Sequence, residues 1–334
     1  MRKPIIYTGT ELLRLNIEPD KYLLDGFIWE KDVVMMLGDA KVGKSLFSLQ
    51  LACALTTGEN FLNEYEVPEA CDVLYIQTEG KVEATKERIE SMVKNDLVSF
   101  NSDRFHLYFQ PFIQLNSTEG FNEVVTHLEA KNIRPKVIFI DPLYMSMGGD
   151  LSDNVAARLF CGSVRQLIEI YAAAVVINHH EHVAKRDMKG DVISEGDRAI
   201  MGSFVWRAFP DHVIAMRKAP DGYRMLSCST QRGSRVIQNM KLELVSEDAL
   251  YYRICGTADH PPYVDRVMEV MAEHGPLTAK ELETSTGLSR SAIMKSLSIL
   301  TRGTEPKIRK VNPGRRPVLY DVRVRVESTH LGVL

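Results

Sequence analysis

Gly38-Asp39-Ala40-Lys41-Val42-Gly43-Lys44-Ser45 stands between the apolar run Val33-Val34-Met35-Met36-Leu37 and the apolar stretch from Leu46 to Leu55. The spacing Gly-x-x-x-x-Gly-Lys-Ser predicts a strand, a tight phosphate-binding loop and a helix. Such a loop must turn sharply so that successive backbone N–H groups converge on phosphate oxygens, and Gly38 and Gly43 permit that turn. Asp39, Ala40, Lys41, Val42 and Leu46 complete the backbone cradle. Lys44 is placed to reach the β- and γ-phosphates and Ser45 to ligate Mg²⁺, with the positive end of the helix dipole aimed at the same groups. The five apolar residues before the loop are what a strand buried on both faces requires. The ligand implied is ATP with Mg²⁺.

Working outward, strands are expected at residues 72–77, 105–109, 136–141, 173–178, 212–217, 224–230 and 241–245. Helices are expected at 81–94, 120–131 and 156–170. Alternation at this spacing predicts an α/β fold whose mostly parallel sheet is covered on both faces. Ligands of such sheets bind at the carboxyl ends of the strands, and Lys44, Glu79, Asp141 and His179 all fall there.

Asp141 closes an apolar strand, the position of a carboxylate that holds the Mg²⁺ shell. Pro142 follows it, so a water-activating carboxylate must come from elsewhere, and Glu79 in Gln77-Thr78-Glu79-Gly80 is the candidate. Asn178-His179-His180-Glu181-His182 clusters imidazoles, but no distant Cys or His set accompanies them to complete a metal site. Either His179 or His180 is expected to contact the γ-phosphate, and a purely structural role is the alternative.

The chain has 334 residues, 45% apolar and 25% charged, which is enough for one large domain and a small one. Its five cysteines are scattered, with no Cys-x-x-Cys pair, as expected of a reducing cytoplasm. The first residues lack a signal-peptide core, and no stretch reaches membrane-spanning length, so no membrane association is expected. Net charge is −3, yet residues 260–326 hold 12 Lys/Arg against 7 Asp/Glu, so the C-terminal part suits an anionic partner.

The four segments Gly38–Ser45, Val73-Leu74-Tyr75-Ile76-Gln77-Thr78-Glu79, Val137-Ile138-Phe139-Ile140-Asp141 and Val176-Ile177-Asn178-His179-His180 resemble, in order and spacing, the RecA-type ATPases. Within these AAA family ATPases the likeness is to the RepA-like hexameric helicases related to RadA and DnaB proteins, over residues 20–245. The resemblance implies a RecA-like core, Glu79 as catalytic glutamate, Asp141 as the Walker B acid and the His pair as sensor. It also implies a hexamer in which a neighbour inserts a basic residue near the γ-phosphate. Arg217 and Lys218 match that region, with Arg207 in reserve. The segment 183–202, with Lys185, Arg186, Lys189 and Arg198, resembles a loop that tracks single-stranded DNA, although a solvated surface loop has the same composition. Partitioning ATPases of the ParA/MinD kind need lysine directly after the first loop glycine, and Asp39 stands there.

Prolines and small polar residues near 258–262 suggest a linker. Beyond it come an expected helix 263–274, a short helix from Thr278 through Leu282, a turn at 286–289, a helix 291–301, and a hairpin of residues 308–311 and 317–320. This resembles a winged helix, with Arg309, Lys310, Arg315 and Arg316 on the wing and Arg290, Ser291 and Lys295 opening the recognition helix. Basic residues there suit phosphates of duplex DNA, and winged helices also serve as protein-interaction modules. The expected division is an ATPase domain at 1–255, a linker at 256–262 and a winged helix at 263–326. The expected function is that of a replicative DNA helicase of a mobile element or phage. The alternative is an ATP-gated DNA-binding regulator or loader that does not unwind.

Overall fold

In a computed structural model, the structure describes residues 6–16, 21–94, 98–180, 202–219, 222–231, 239–246, 249–257, 262–301, 308–311 and 318–322. The segment 183–201 with Lys185, Arg186, Lys189 and Arg198, most of the 258–262 linker, and Arg315 and Arg316 lie outside the described residues. The chain forms two compact units. One comprises Met1–Ile214, Ser229–Ile237 and Val245–Tyr251, the other Ala215–Cys228, Gln238–Leu244 and Tyr252–Leu334. Among the described residues no helix is long and apolar enough to cross a membrane.

The elements of the first unit run α1 (Gly9–Arg14), β1 (Tyr22–Leu24), β2 (Ile28–Trp29), β3 (Val33–Gly38), α2 (Lys44–Thr57), β4 (Val73–Gln77), α3 (Val82–Val93) and β5 (Phe105–Phe109). They continue through α4 (Thr118–Ala130), β6 (Val137–Asp141), α5 (Asn154–Tyr171), β7 (Ala174–His180), α6 (Val205–Ala208) and the start of β8 (His212–Lys218). Next come β9 (Arg224–Gln231), β10 (Met240–Val245) and β11 (Tyr251–Thr257), and the large sheet has the order β11-β10-β9-β8-β3-β7-β6-β4-β5. Pairings β3–β7, β7–β6, β6–β4 and β4–β5 are all parallel. Every residue of β3, β4 and β6 is buried, which is why these segments read as continuous apolar runs rather than alternating ones.

Helix α2 is buried on nearly every side. Phe47 on it meets Phe61 edge-on at 5.2 Å, and Phe27 meets Phe61 and Tyr65 edge-on at 5.5 and 4.9 Å. These rings fix the helix that carries the loop lysine. Gly58, at φ 77°, ends the helix in the left-handed region, its N–H donating to the Ala54 carbonyl.

Strand β7 extends two residues past the expected 173–178, so His179 and His180 lie inside it rather than after it. Pairing with β3 as far as Gly38↔His180 draws both imidazoles into the sheet. Likewise, β8 runs one residue past the expected 212–217 and takes in Lys218. Strand β11 was not expected, and residues 251–257 supply it.

In the second unit, β9 and β10 are antiparallel, with Lys241 opposite Met225 and its ammonium 4.0 Å from the Tyr223 ring centroid. The chain then forms α7 (Pro262–His274), β12 (Leu277–Thr278), α8 (Ala279–Thr286), α9 (Arg290–Leu300), β13 (Ile308–Lys310) and β14 (Leu319–Val322). The three strands pair in the order β12-β14-β13. Val264, Val267, Met271, Leu282, Ile293, Leu297, Leu300, Ile308 and Tyr320 make one core beneath them. Helix α8 opens with a reciprocal capping box between Thr278 and Glu281 and closes on Gly287 at φ 69°. It runs through Thr286, four residues beyond the expected end.

Candidate functional site

The loop Gly38–Ser45 turns as its composition requires, with Gly43 at φ 109° as the N-cap of α2 and Lys41 at φ 60°. Lys44 is 7% exposed, and its ammonium donates to the carbonyls of Gly38 (2.8 Å) and Asp39 (3.0 Å). The same nitrogen lies 3.4 Å from His180 Nδ1. Register explains that contact, because Gly38 and His180 are partners on adjacent parallel strands. An ammonium has donors only, so Nδ1 is the accepting nitrogen and the neutral ring carries its proton on Nε2. Partial burial first, then the Lys44 charge, holds the His180 imidazole below its usual value against the opposite pull of Glu79, Asp141 and Asp39.

His179 faces elsewhere. It is fully buried, its ring 6.1 Å from that of Trp206, which in turn meets Phe160 edge-on at 5.8 Å. Alternation along the strand sends neighbouring histidines to opposite faces, so Lys44 meets His180 and not His179. One residue earlier again, Asn178 accepts a buried hydrogen bond from Ser48 of α2 at 2.9 Å, tying β7 to the loop helix.

Asp141 ends β6 opposite Gln77 of β4. Its carboxylate is buried and accepts the Tyr75 hydroxyl at 2.6 Å. Burial, then the Asp141 charge, pushes the Tyr75 phenol well above its usual range, so it remains a donor. Ser45, Tyr75, Gln77, Glu79, Arg88 and Asp141 are among the residues lining a cleft of about 200 Å³.

Glu79 follows β4 on a loop that is held at several points. Gln77 Nε2 donates to the Glu79 carbonyl at 2.8 Å, and Thr85 holds the Gln77 oxygen at 2.6 Å. Gly80 takes φ 79° directly after it. The Glu79 carboxylate accepts the Tyr144 hydroxyl at 2.5 Å. Tyr144 belongs to the 3-10 turn Leu143–Met145 that follows the cis Asp141–Pro142 peptide, and its ring lies 5.5 Å from that of His180.

Ser45, Asp141 and Glu79 thus share one cleft, and Lys44 meets His180. Arg217 and Lys218 are the last two residues of β8, with Lys218 exposed, and Arg207 is exposed on α6. Tyr75 and Tyr144 were not singled out in the sequence. Tyrosine within an apolar strand or turn carries the same signal whether it packs or donates.

Residues 9–186, more than half of the chain, match the AAA_25 family model, an AAA domain. The chain belongs to this AAA-domain family. Its phosphate-binding loop, Glu79, Asp141 and both histidines lie within the matched span, and the family is one of P-loop ATPases. Among solved structures, a KaiC-like protein from the hyperthermophilic archaeon Pyrococcus horikoshii OT3 is similar, with a TM-score of 0.46 and 11% identity over 70% of this AAA-domain chain and 93% of that one. No curated protein matches the chain.

Proposed function

We propose that this AAA-domain protein is an ATP-hydrolysing motor of DNA metabolism with a RecA-like core, a helicase of the RepA-like kind. The observation that carries the hydrolytic part is the meeting of Ser45, Glu79 and Asp141 in one cleft beside a buried loop lysine. The residues fit ATP and Mg²⁺. The loop glycines leave a backbone cradle, Lys44 already lies against its carbonyls, and the helix N-terminus follows. A hydroxyl and a carboxylate in one cleft suit a cation that otherwise keeps phosphate and water ligands.

Lys44 would neutralise phosphate charge, Ser45 and Asp141 would hold Mg²⁺, and His180 would report the γ-phosphate. Mg²⁺, when bound, supplies charge neutralisation at the phosphate oxygens. Glu79 orients a water and takes its proton. The water oxygen bonds to the γ-phosphorus and the bond to the bridging oxygen breaks, giving ADP and phosphate. A neighbouring subunit of a hexamer would contribute Arg217 or Lys218. The 183–202 segment would contact single-stranded DNA.

For residues 263–326 we propose a winged helix that binds duplex DNA. Support comes from the three helices, the small antiparallel sheet and their shared core. A second reading is a regulator or loader whose ATP state gates DNA binding without unwinding. Arg290 and Arg309 are engaged by Glu283 at 2.6 Å and Asp321 at 3.6 Å, so in either reading these exposed pairs must open before the arginines meet phosphates.

Steady-state ATP hydrolysis with and without single-stranded DNA, with Lys44→Ala as blank, tests the proposal. Stimulation by single strands supports the motor. Slow hydrolysis indifferent to single strands sinks it in favour of the regulator.

A further inference from the structure

Tyr144 is 38% exposed, so packing alone does not explain its place. Its hydroxyl nevertheless sits 2.5 Å from Glu79 Oε2. The turn that bears Tyr144 and the loop that bears Glu79 are fastened to each other one layer below. Thr78 N–H donates to the Asp141 carbonyl at 3.1 Å. The Thr78 hydroxyl lies 3.3 Å from that of Ser146, which donates to the Pro142 carbonyl at 2.8 Å. Ser146 N–H closes the turn on Leu143 at 2.9 Å. Thr78 and Ser146 are both fully buried. Two backbones joined in this way hold the hydroxyl and the carboxylate at a fixed separation, which is the arrangement that keeps a reacting group in productive geometry.

On its other side the Tyr144 ring approaches His180 at 5.5 Å, and His180 meets the loop lysine at 3.4 Å. Glu79, Tyr144, His180 and Lys44 therefore form a contiguous line from the water-activating carboxylate to the phosphate loop. We propose that Tyr144 is the positioning residue for Glu79, orienting its carboxylate toward the attacking water and linking it through His180 to the occupant of the phosphate loop. This rests on Glu79 being the base of ATP hydrolysis. Burial, then the hydrogen bond and charge of Glu79, pushes the phenol up to about 12. It is a donor across the whole working pH range.

The test is a cycle of Tyr144→Phe, Glu79→Gln and the double variant in the full-length chain, with kcat and KM for ATP measured separately. Phenylalanine keeps the ring and removes only the donor. The expected result is a kcat lowered about 10-fold in Tyr144→Phe with KM within about twofold, because orientation in the transition state is lost and ground-state binding is not. On the Glu79→Gln background the tyrosine change adds nothing further. Unchanged kcat in Tyr144→Phe, while Glu79→Gln lowers turnover at least about 100-fold to a rate still measurable in single turnovers, overturns the positioning role alone. Multiplying effects in the double variant overturn it as well, since they would show the hydroxyl acting independently of Glu79. Full turnover by Glu79→Gln overturns the base assignment and the positioning role with it.

Discussion

The Tyr75 hydroxyl donates to Asp141 at 2.6 Å across 66 positions of sequence, inside the sheet and shielded from water. Parallel pairing of β4 with β6 sets Tyr75 opposite Phe139, two residues before Asp141, and the long tyrosine side chain spans the difference. A buried carboxyl group without a donor carries a desolvation cost, which this hydroxyl helps to offset. Tyr75→Phe is expected to lower stability by about 1–3 kcal/mol, seen as a lower urea midpoint at unchanged slope. The same variant should need more Mg²⁺ for half-maximal hydrolysis, because the carboxylate loses the group that fixes its orientation.

Lys44→Ala removes the ammonium that fills the loop and meets His180. Turnover should fall at least about 100-fold, since no other group described beside the γ-phosphate position can neutralise transition-state charge as directly. Circular dichroism should be unchanged, as should duplex-DNA binding if the proposed winged helix carries it, and steady-state ATPase assays check the loss of turnover. Retained hydrolysis would remove Lys44 from the chemistry.

His180 makes acid stability predictable in sign. Burial and Lys44 disfavour its charged form in the folded chain, with Glu79, Asp141 and Asp39 opposing them, and its pKa lies below 6.5. As pH falls below that value the unfolded chain takes up the proton first. Stability is therefore intact above about 6.5 and declines as pH drops toward the folded pKa. His180→Gln cannot titrate and should lose less stability between about pH 7 and about pH 5 in thermal melts. Parallel melting curves for both proteins would exclude the effect.

Leu282 is fully buried in the core shared by α7, α8 and α9. Leu282→Ala is expected to cost about 2–5 kcal/mol locally. Hydrogen exchange of the amides in residues 262–301 should accelerate, with basal ATP hydrolysis unchanged. Unaltered exchange would mean that this core does not hold the module together.

Much of the first unit was legible because buried parallel strands leave an unmistakable trace. Val33–Leu37, Val73–Ile76 and Val137–Ile140 are apolar at every position, and the loop glycines punctuate the first of them. Strand β7 was read two residues short because the apolar run stops at Ile177, whereas pairing with β3 continues to His180. Nothing in a local pattern reports a partner strand's length. The choice between the two histidines was closed to sequence for the same reason, since alternation tells that they face apart but not which faces the loop. Helix α1 was missed despite a visible cue, Thr8-Gly-Thr-Glu11, which forms a reciprocal capping box. Tyr75 and Tyr144 could not be distinguished from packing aromatics, because their importance comes from what tertiary structure sets opposite their hydroxyls.

The ammonium of Lys44 resting on the carbonyls of Gly38 and Asp39 has a thermodynamic consequence for the ligand. Nucleotide entry becomes an exchange, with the lysine surrendering two carbonyl partners as it acquires phosphate oxygens. Measured affinity then reports only the difference between those two sets of contacts. Hydrolysis rate from the bound state reports instead how much the lysine's contacts strengthen as charge develops on the phosphate. Weak binding and strong catalysis can thus come from one side chain, and a loop altered to seat the resting lysine less comfortably would hold its nucleotide for longer.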